Sequence, residues 1–420
     1  MRTTLGADVI VVGGGPAGIA AVCRLVPAGR RVIWVDAGAR SGGQIWRGGL
    51  PPRWSAAVAA LAGHPDLRQL PGHAVVAAEG PQTLLLHDTL NPGAPAVVAL
   101  APQLLLALGA RERFLPFPGW TLPGVTGAGG LQALIKNGWP VAGQRVVFAG
   151  SGPLLLASAD TARAAGARVS LIAEQAPAAA LARFAAGLSA SRWRQALALR
   201  WRLRGVPYRS ACWVLRADGE RRLESVLLGN GRTTWRLPCD ALGVGFGLMP
   251  NTELAGLLGL RIEAGAIQVD TQQQTSVQGV YAAGECTGIG GVDKALAEGG
   301  LAALAMLGRT DDTLRRERSR SARFAERLAS SFALRPELLE LADAQTLVCR
   351  CEHVSFGALQ VQASGRDAKL QTRCGMGACQ GRICGPITQE LFGWSAATLR
   401  EPLQPVPLAC LVADTSLRSP

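Results

Sequence analysis

Apolar residues along the chain fall in short runs broken by glycine, and the order of the runs repeats. Val9-Ile10-Val11-Val12 is continuously apolar, the pattern of a strand buried on both faces of a parallel sheet. Three glycines follow, then Ile19-Ala20-Ala21-Val22 begins a helix, and Arg31-Val32-Ile33-Trp34-Val35-Asp36 reads as the next strand. Four short apolar runs, at 74–78, 83–87, 96–100 and 104–108, are separated by turn residues such as Glu79-Gly80-Pro81 and Asn91-Pro92-Gly93. They predict a meander of strands. The strand–turn–helix–strand pattern then recurs, with a strand at 144–149, the turn Gly150-Ser151-Gly152, a helix, and a strand at 167–173 ending at Glu174. A last strand, Gly279-Val280-Tyr281-Ala282-Ala283-Gly284-Glu285, precedes an apolar helix over 292–306 and a charged helical stretch over 311–327. The repeat predicts an α/β fold with two dinucleotide-binding, Rossmann-like domains.

The first turn carries the chemistry most plainly. Gly13, Gly15 and Gly18 stand at G-x-G-x-x-G spacing. The first permits the sharp turn, the second lets backbone approach a pyrophosphate, and the third lets the helix pack on the strand. Asp36 ends the second strand, where a carboxylate binds ribose hydroxyls. In Ser41-Gly42-Gly43-Gln44, Gly43 offers unusual backbone angles and Gln44 a hydrogen-bonding amide for a bound ring or ribityl chain. The second turn keeps Gly150, Gly152 and the acid Glu174, but Leu155 replaces the third glycine. An acid there suits NAD better than NADP. Working NAD(H) binding, another nucleotide, or a turn that has lost its ligand all remain open.

Composition changes the picture little. The 420 residues leave room for two or three domains. The net charge of +13 comes almost wholly from arginine, dense at 192–204 and 315–327. No nucleic-acid motif accompanies it, so solvated helix faces or a patch for an acidic partner are expected, and no nucleic acid. The start runs into the first strand without a signal-like apolar region, and no apolar stretch approaches the roughly 20 residues that span a bilayer. A cytoplasmic chain is expected, peripheral at the inner face of the membrane through its complex. The histidines, His64, His73, His87 and His353, form no acid–base dyad, and no C-x-x-C adjoins the first turn.

Nucleotide unit, meander, then a strand ending in Ala107-Leu108-Gly109 resembles the flavoproteins of the thioredoxin-reductase and glutathione-reductase type. Their strand there ends in Ala-Thr-Gly, and their second FAD signature ends in Gly-Asp. Here Gly284-Glu285 keeps the acid with one more methylene, and Gly291 precedes the helix over 292–306. The resemblance implies FAD in the first domain, because two separated signatures return to one site, and it makes a disulfide-reductase mechanism unexpected without the C-x-x-C.

Five of the ten cysteines cluster near the end: Cys349, Cys351, Cys374, Cys379 and Cys384. A C-x-C and a C-x4-C pair supply the four thiolates of a [2Fe–2S] cluster, with zinc as the chemical rival. Spacing leaves the set open, since Cys374 and Cys379 are also C-x4-C. The tail is similar to the ferredoxin-like [2Fe–2S] domain of the bacterioferritin-associated type, with Cys-x-Cys-Glu followed by Gly-Met-Gly-x-Cys-Gln-Gly-x-x-Cys. That resemblance selects Cys349, Cys351, Cys379 and Cys384 and leaves Cys374 as a neighbour.

Gly-Gly-Gln-Ile-Trp-Arg-Gly, Gly-Trp-x-Leu-Pro-Gly-Val, Gly-Glu-x-Thr-Gly-Ile-Gly-Gly and the cysteine tail together resemble one family of enzyme subunits. It comprises the FAD-containing A subunit of opine oxidases, the B subunit of hydrogen cyanide synthase, and the α-subunit of dye-linked proline or hydroxyproline dehydrogenases. The resemblance implies residues 1–112 and 236–308 as the FAD domain and 113–235 as the second dinucleotide domain. Residues 309–345 would be linker helices, 346–400 the [2Fe–2S] domain and 401–420 a tail. It further implies an electron-transfer subunit of a heteromeric amine or imino-acid (opine, hydroxyproline or proline) dehydrogenase, working with a D-amino-acid-oxidase-like flavoprotein, a small ferredoxin-like subunit, and an external acceptor such as quinone. A hydrogen cyanide synthase subunit acting in glycine oxidation, a self-sufficient NADH:acceptor oxidoreductase and a nucleotide-bearing scaffold are the alternatives.

Overall fold

Continuous apolar runs make strands that must be covered on both faces, and each of the two glycine turns sits at the end of such a strand. The computed structural model describes residues 2–394 and 399–412. They form two compact units, 2–111 with 249–325 and 399–412, and 112–248 with 326–394. Residues 413–420 of the expected tail lie outside the described residues.

The first unit is built on a parallel five-stranded sheet. Its order is Val280–Ala282, Gln103–Leu106, Val9–Val12, Val32–Asp36, Leu67–Pro71. One face is covered by the helices Pro16–Leu25 and Val292–Met306, which bury Ile19, Val22, Ala302 and Met306 with Val9, Val11 and Trp34. These helices pack closely because Gly299 is a glycine: a Cβ there would collide with the backbone of Ala17. The other face is covered by a second sheet, in the order Thr3–Gly6, Val97–Leu100, Thr83–Asp88, His73–Ala78, through Leu84, Leu86 and Ala99.

Three of the four predicted meander runs lie in that covering sheet. The fourth, Gln103–Leu106, does not; it is the neighbour of Val9–Val12 in the parallel sheet. Its leucines are buried on both faces, which suits a central parallel strand and not a meander edge. Thr3–Gly6 takes its place, pairing parallel with Val97–Leu100.

The second unit repeats the plan, with strand order Val125–Gly127, Ala241–Gly245, Arg145–Gly150, Arg168–Glu174, Tyr208–Arg209. Helices Ala128–Lys136 and Leu154–Ala164 cover one face. An antiparallel sheet of Trp213–Asp218, Ser225–Gly229 and Thr234–Pro238 covers the other. The chain returns to the first unit at Met249, not at the expected residue 236, because Ala241–Gly245 pairs on both sides within the second sheet.

The cysteine-bearing segment shares the second unit's core. A hairpin of Leu347–Cys349 and Val354–Ser355 and the helices Phe356–Gln360, Gly365–Thr372 and Cys384–Phe392 bury Val348, Leu359 and Ile387 against the cluster of Phe117, Trp120 and Leu242. The Trp120 indole N–H donates to the Leu347 carbonyl at 2.6 Å. Among the described residues no helix is long and apolar enough to cross a membrane.

Candidate dinucleotide and thiol sites

The first turn has the geometry a pyrophosphate needs. Gly13 takes φ +118°, and a side chain there would strike the Ala107 carbonyl. Gly18 lies against the Gly13 carbonyl, so the helix begins hard on the strand. Above Gly15 there is open space: a Cβ would meet nothing within 4 Å. The helix Pro16–Leu25 starts with proline, has no side-chain cap and no acid in its first turn. Its N-terminal amides and positive dipole end therefore face that space without an internal anion.

Asp36 completes this cradle. Its Oδ1 accepts from the Gly38 N–H at 2.8 Å, while Oδ2, buried against the backbone of Gly14, makes no hydrogen bond of good geometry. Burial raises its carboxyl above the usual range, opposed by the Gly38 and Gly14 amides. An orphaned buried acceptor at the ribose position fits a ligand hydroxyl, which would remove that desolvation penalty. The Ser41–Gly43 loop is tied down by the Gly42 N–H to the Gly14 carbonyl at 2.7 Å. Gly43, at φ +58°, brings the position of its missing Cβ to 3.0 Å from the Gly15 Cα. Gln44 points its carbonyl to Arg47, at 2.7 Å.

The second signature reaches the same place. Val280–Ala282 neighbours Gln103–Leu106, so its C-terminal end opens on the same sheet edge as Gly13, the edge where parallel sheets bind ligands. Gly284 takes φ +91°, and a Cβ on it would press on Ala17 at 3.1 Å. Glu285 Oε1 accepts from the amides of Gly290, at 3.1 Å, and Gly291, at 2.7 Å, and so shapes the loop before the helix Val292–Met306.

Two residues not singled out in the sequence support this loop. Buried Lys294 donates to the Gly284 carbonyl, to Thr287 Oγ1 and to Glu298, at 2.7 to 2.9 Å. Glu298 Oε2 in turn accepts from the Gly284 N–H at 2.9 Å. The signal was present: a Lys–Glu pair at i, i+4 within a helix whose one other charged residue is Asp293.

In the second turn, Gly150 has φ +139° and Gly152 φ +97°, and Leu155 packs in the core where the third glycine would stand. Glu174 is 1% exposed. Its Oε2 accepts from the Gly152 N–H at 2.7 Å and its Oε1 from the Ala176 N–H at 2.9 Å. Burial pushes its carboxyl up to about 7 against the pull of those amides.

The sulfurs of Cys349, Cys374 and Cys384 lie within 4.8 Å of one another, all buried. Contacts from the Cys374 and Cys384 thiols hold Cys349 well below the usual thiol range, favouring a thiolate there. Cys351 is exposed and Cys379 half-buried. A Cβ on Gly377 would meet the Cys351 Sγ at 3.3 Å, so Cys351 packs on the loop that leads to Cys379. The structure thus groups Cys349 and Cys384 from the expected four and adds Cys374. Only its C-x4-C spacing to Cys379 had marked Cys374 in the sequence. Clustered thiols of this kind suit iron–sulfur or zinc.

Residues 7–299 match the family model described as pyridine nucleotide-disulphide oxidoreductase. The chain belongs to that family. Family membership implies FAD and NAD(P) binding, and the chain is an FAD-dependent oxidoreductase. Within the family it is 36% identical to the A subunit of opine oxidase from Rhizobium meliloti strain 1021, over 96% of this chain and 97% of that one. It is 32% identical to hydrogen cyanide synthase subunit HcnB of Pseudomonas protegens, over 95% of this chain and 96% of that one. It therefore belongs to the family of subunits expected from its motifs. The L-proline dehydrogenase of P. horikoshii shares the fold, with TM-score 0.69 and 21% identity over 98% of this chain and 81% of that one. Thioredoxin reductase of T. acidophilum shares it too, with TM-score 0.57 and 21% identity over 72% of this chain and 98% of that one.

Proposed function

We propose that this chain is the electron-relaying flavoprotein subunit of a heteromeric dehydrogenase that oxidises the C–N bond of an opine, hydroxyproline or proline. The full-length match to the A subunit of an opine oxidase carries the reading. FAD is assigned to the first unit, held by Gly13, Gly15, Gly18, Asp36, Gly43, Gln44, Gly284, Glu285 and Gly291. The open space over Gly15 and the orphaned Asp36 Oδ2 support this assignment. FAD held there would supply two-electron acceptance and one-electron release, the chemistry that coupling amine oxidation to an iron–sulfur centre would require.

The chain's own part is to bind and orient. The helix Pro16–Leu25 offers its amides to the pyrophosphate, and Asp36 accepts from a ribose hydroxyl. The Lys294–Glu298 pair holds the Gly284–Glu285 turn in place. A [2Fe–2S] cluster is assigned to Cys349, Cys351, Cys379 and Cys384, with Cys374 beside it. The contact of Cys351 with Gly377 and the proximity of Cys349 to Cys384 support that set. A D-amino-acid-oxidase-like flavoprotein would oxidise the substrate, with a small ferredoxin-like subunit in the complex and a quinone as final acceptor. The match to HcnB favours a second reading, a component of a glycine-oxidising cyanide synthase.

Anaerobic purification, a visible spectrum and addition of NADH test the reading. Flavin and iron–sulfur absorbance that NADH leaves unchanged, but that bleaches with the amine when the partner flavoprotein is present, is the expected result. Rapid bleaching by NADH alone would make the chain a self-sufficient NADH:acceptor oxidoreductase.

A further inference from the structure

The two glycine turns differ in what lies over them. In the first unit a Cβ on Gly15 would enter empty space; in the second, a Cβ on Gly152 would meet the ring of Phe332 at 3.9 Å. Phe332 follows the helix Asp312–Ser331, and the residues after it run across the mouth of the turn. The Phe332 carbonyl accepts from Ser151 Oγ at 3.0 Å, and the Ala333 carbonyl from Gln175 Nε2 at 3.0 Å. The Arg335 N–H donates to Gln175 Oε1 at 3.2 Å. Gln175 Nε2 also donates to Ser151 Oγ at 2.9 Å, which knits the turn, the strand end and the crossing segment together. Rings lock both ends: Phe332 sits edge-on to Phe184 at 5.0 Å, and the Arg335 guanidinium lies over Trp213 at 4.6 Å.

The acid reinforces the closure. Asp36 leaves an oxygen unpartnered in the first unit, whereas Glu174, one methylene longer, reaches the Gly152 amide. Gly152 stands where Gly15 stands in the first turn, at the residue whose backbone approaches a pyrophosphate. That amide is already given to an internal carboxylate, and Gln175 is fully buried beneath the crossing segment.

We propose that residues 332–335 are a built-in plug of the second dinucleotide site, so that this unit takes no pyridine nucleotide and the chain's electrons arrive by another route. The inference bears on the relay reading without depending on its substrate.

The test uses the flavin-loaded full chain and ADP-ribose, which carries the pyrophosphate and both riboses without redox chemistry. Calorimetric titration of the wild type is expected to show no saturable binding. Phe332→Ala removes the ring over Gly152, and Arg335→Ala releases the segment's far end from Trp213. Each is expected to give saturable ADP-ribose binding, at an affinity about tenfold or more above the upper limit set by the wild-type titration, since apparent affinity scales with the population of open sites. Arg335→Ala stands in if Phe332→Ala fails to fold. Saturable micromolar binding by the wild type would overturn the plug, as would folded variants that gain nothing. ADP-ribose binding with a flavin that NADH leaves oxidised would sink the plug alone; NADH bleaching of the flavin would sink both the plug and the relay.

Discussion

Glu174 should make the protein's stability fall with rising pH, and Glu174→Gln should remove that fall. Burial holds the carboxyl at about 7 in the folded chain against 4.5 for the free group. Below 4.5 it is protonated in both states and its burial costs little. As pH rises, the unfolded chain ionises first, so folding loses ground until the buried group ionises near 7. The loss is then complete, at about 3 kcal/mol in all. Between pH 5.5 and 8.5 the group accounts for about 2 kcal/mol of it. Glutamine keeps the shape but turns an N–H toward either the Gly152 or the Ala176 amide, so a constant penalty of about 1–2 kcal/mol is expected at all pH values. The assay is urea unfolding of both proteins across this range, with flavin fluorescence and circular dichroism followed together. The wild type should lose about 2 kcal/mol more than the variant on going from pH 5.5 to 8.5. Parallel curves would refute the placement of a protonatable carboxyl beneath the second turn.

Other changes read other parts of the structure. Asp36→Ala removes the unpartnered Oδ2 at the ribose position and should weaken FAD binding by about 1–3 kcal/mol, measured as flavin retained on dilution. Unchanged retention would place the flavin elsewhere. Gly299→Ala drives a methyl into the Ala17 backbone, forcing apart the helices Pro16–Leu25 and Val292–Met306, and should cost at least about 1–3 kcal/mol. A lower temperature of flavin release is the readout. Cys384→Ser should abolish the iron–sulfur absorbance, whereas Cys374→Ser should keep about two irons per chain. The reverse pattern would replace one of the assigned ligands by Cys374.

Much of this was legible in the chain, because strands and glycine turns are local. A continuous apolar run followed by Gly13-Gly14-Gly15 can hardly be anything but a parallel strand entering a helix, and Gly13 and Gly18 meet the close backbone contacts such a turn requires. The role of 103–106 was not legible, since a short leucine run reads alike in a meander and in a parallel sheet; only the neighbouring strands distinguish them. The same holds for the boundary at Met249, which depends on Ala241–Gly245 finding partners on both sides.

The sequence by itself determined the two dinucleotide folds, the spacing of five clustered cysteines and the family of the chain, since each rests on residues close together along it. Tertiary structure alone decided what faces each turn. Asp36 and Glu174 differ by one methylene, but in the second unit that reach and a segment about 180 residues further on fill the space that stays open over Gly15. It likewise brought Cys374 beside Cys349 and Cys384, because the core shared by the tail and the second sheet sets those distances, and spacing along the chain does not.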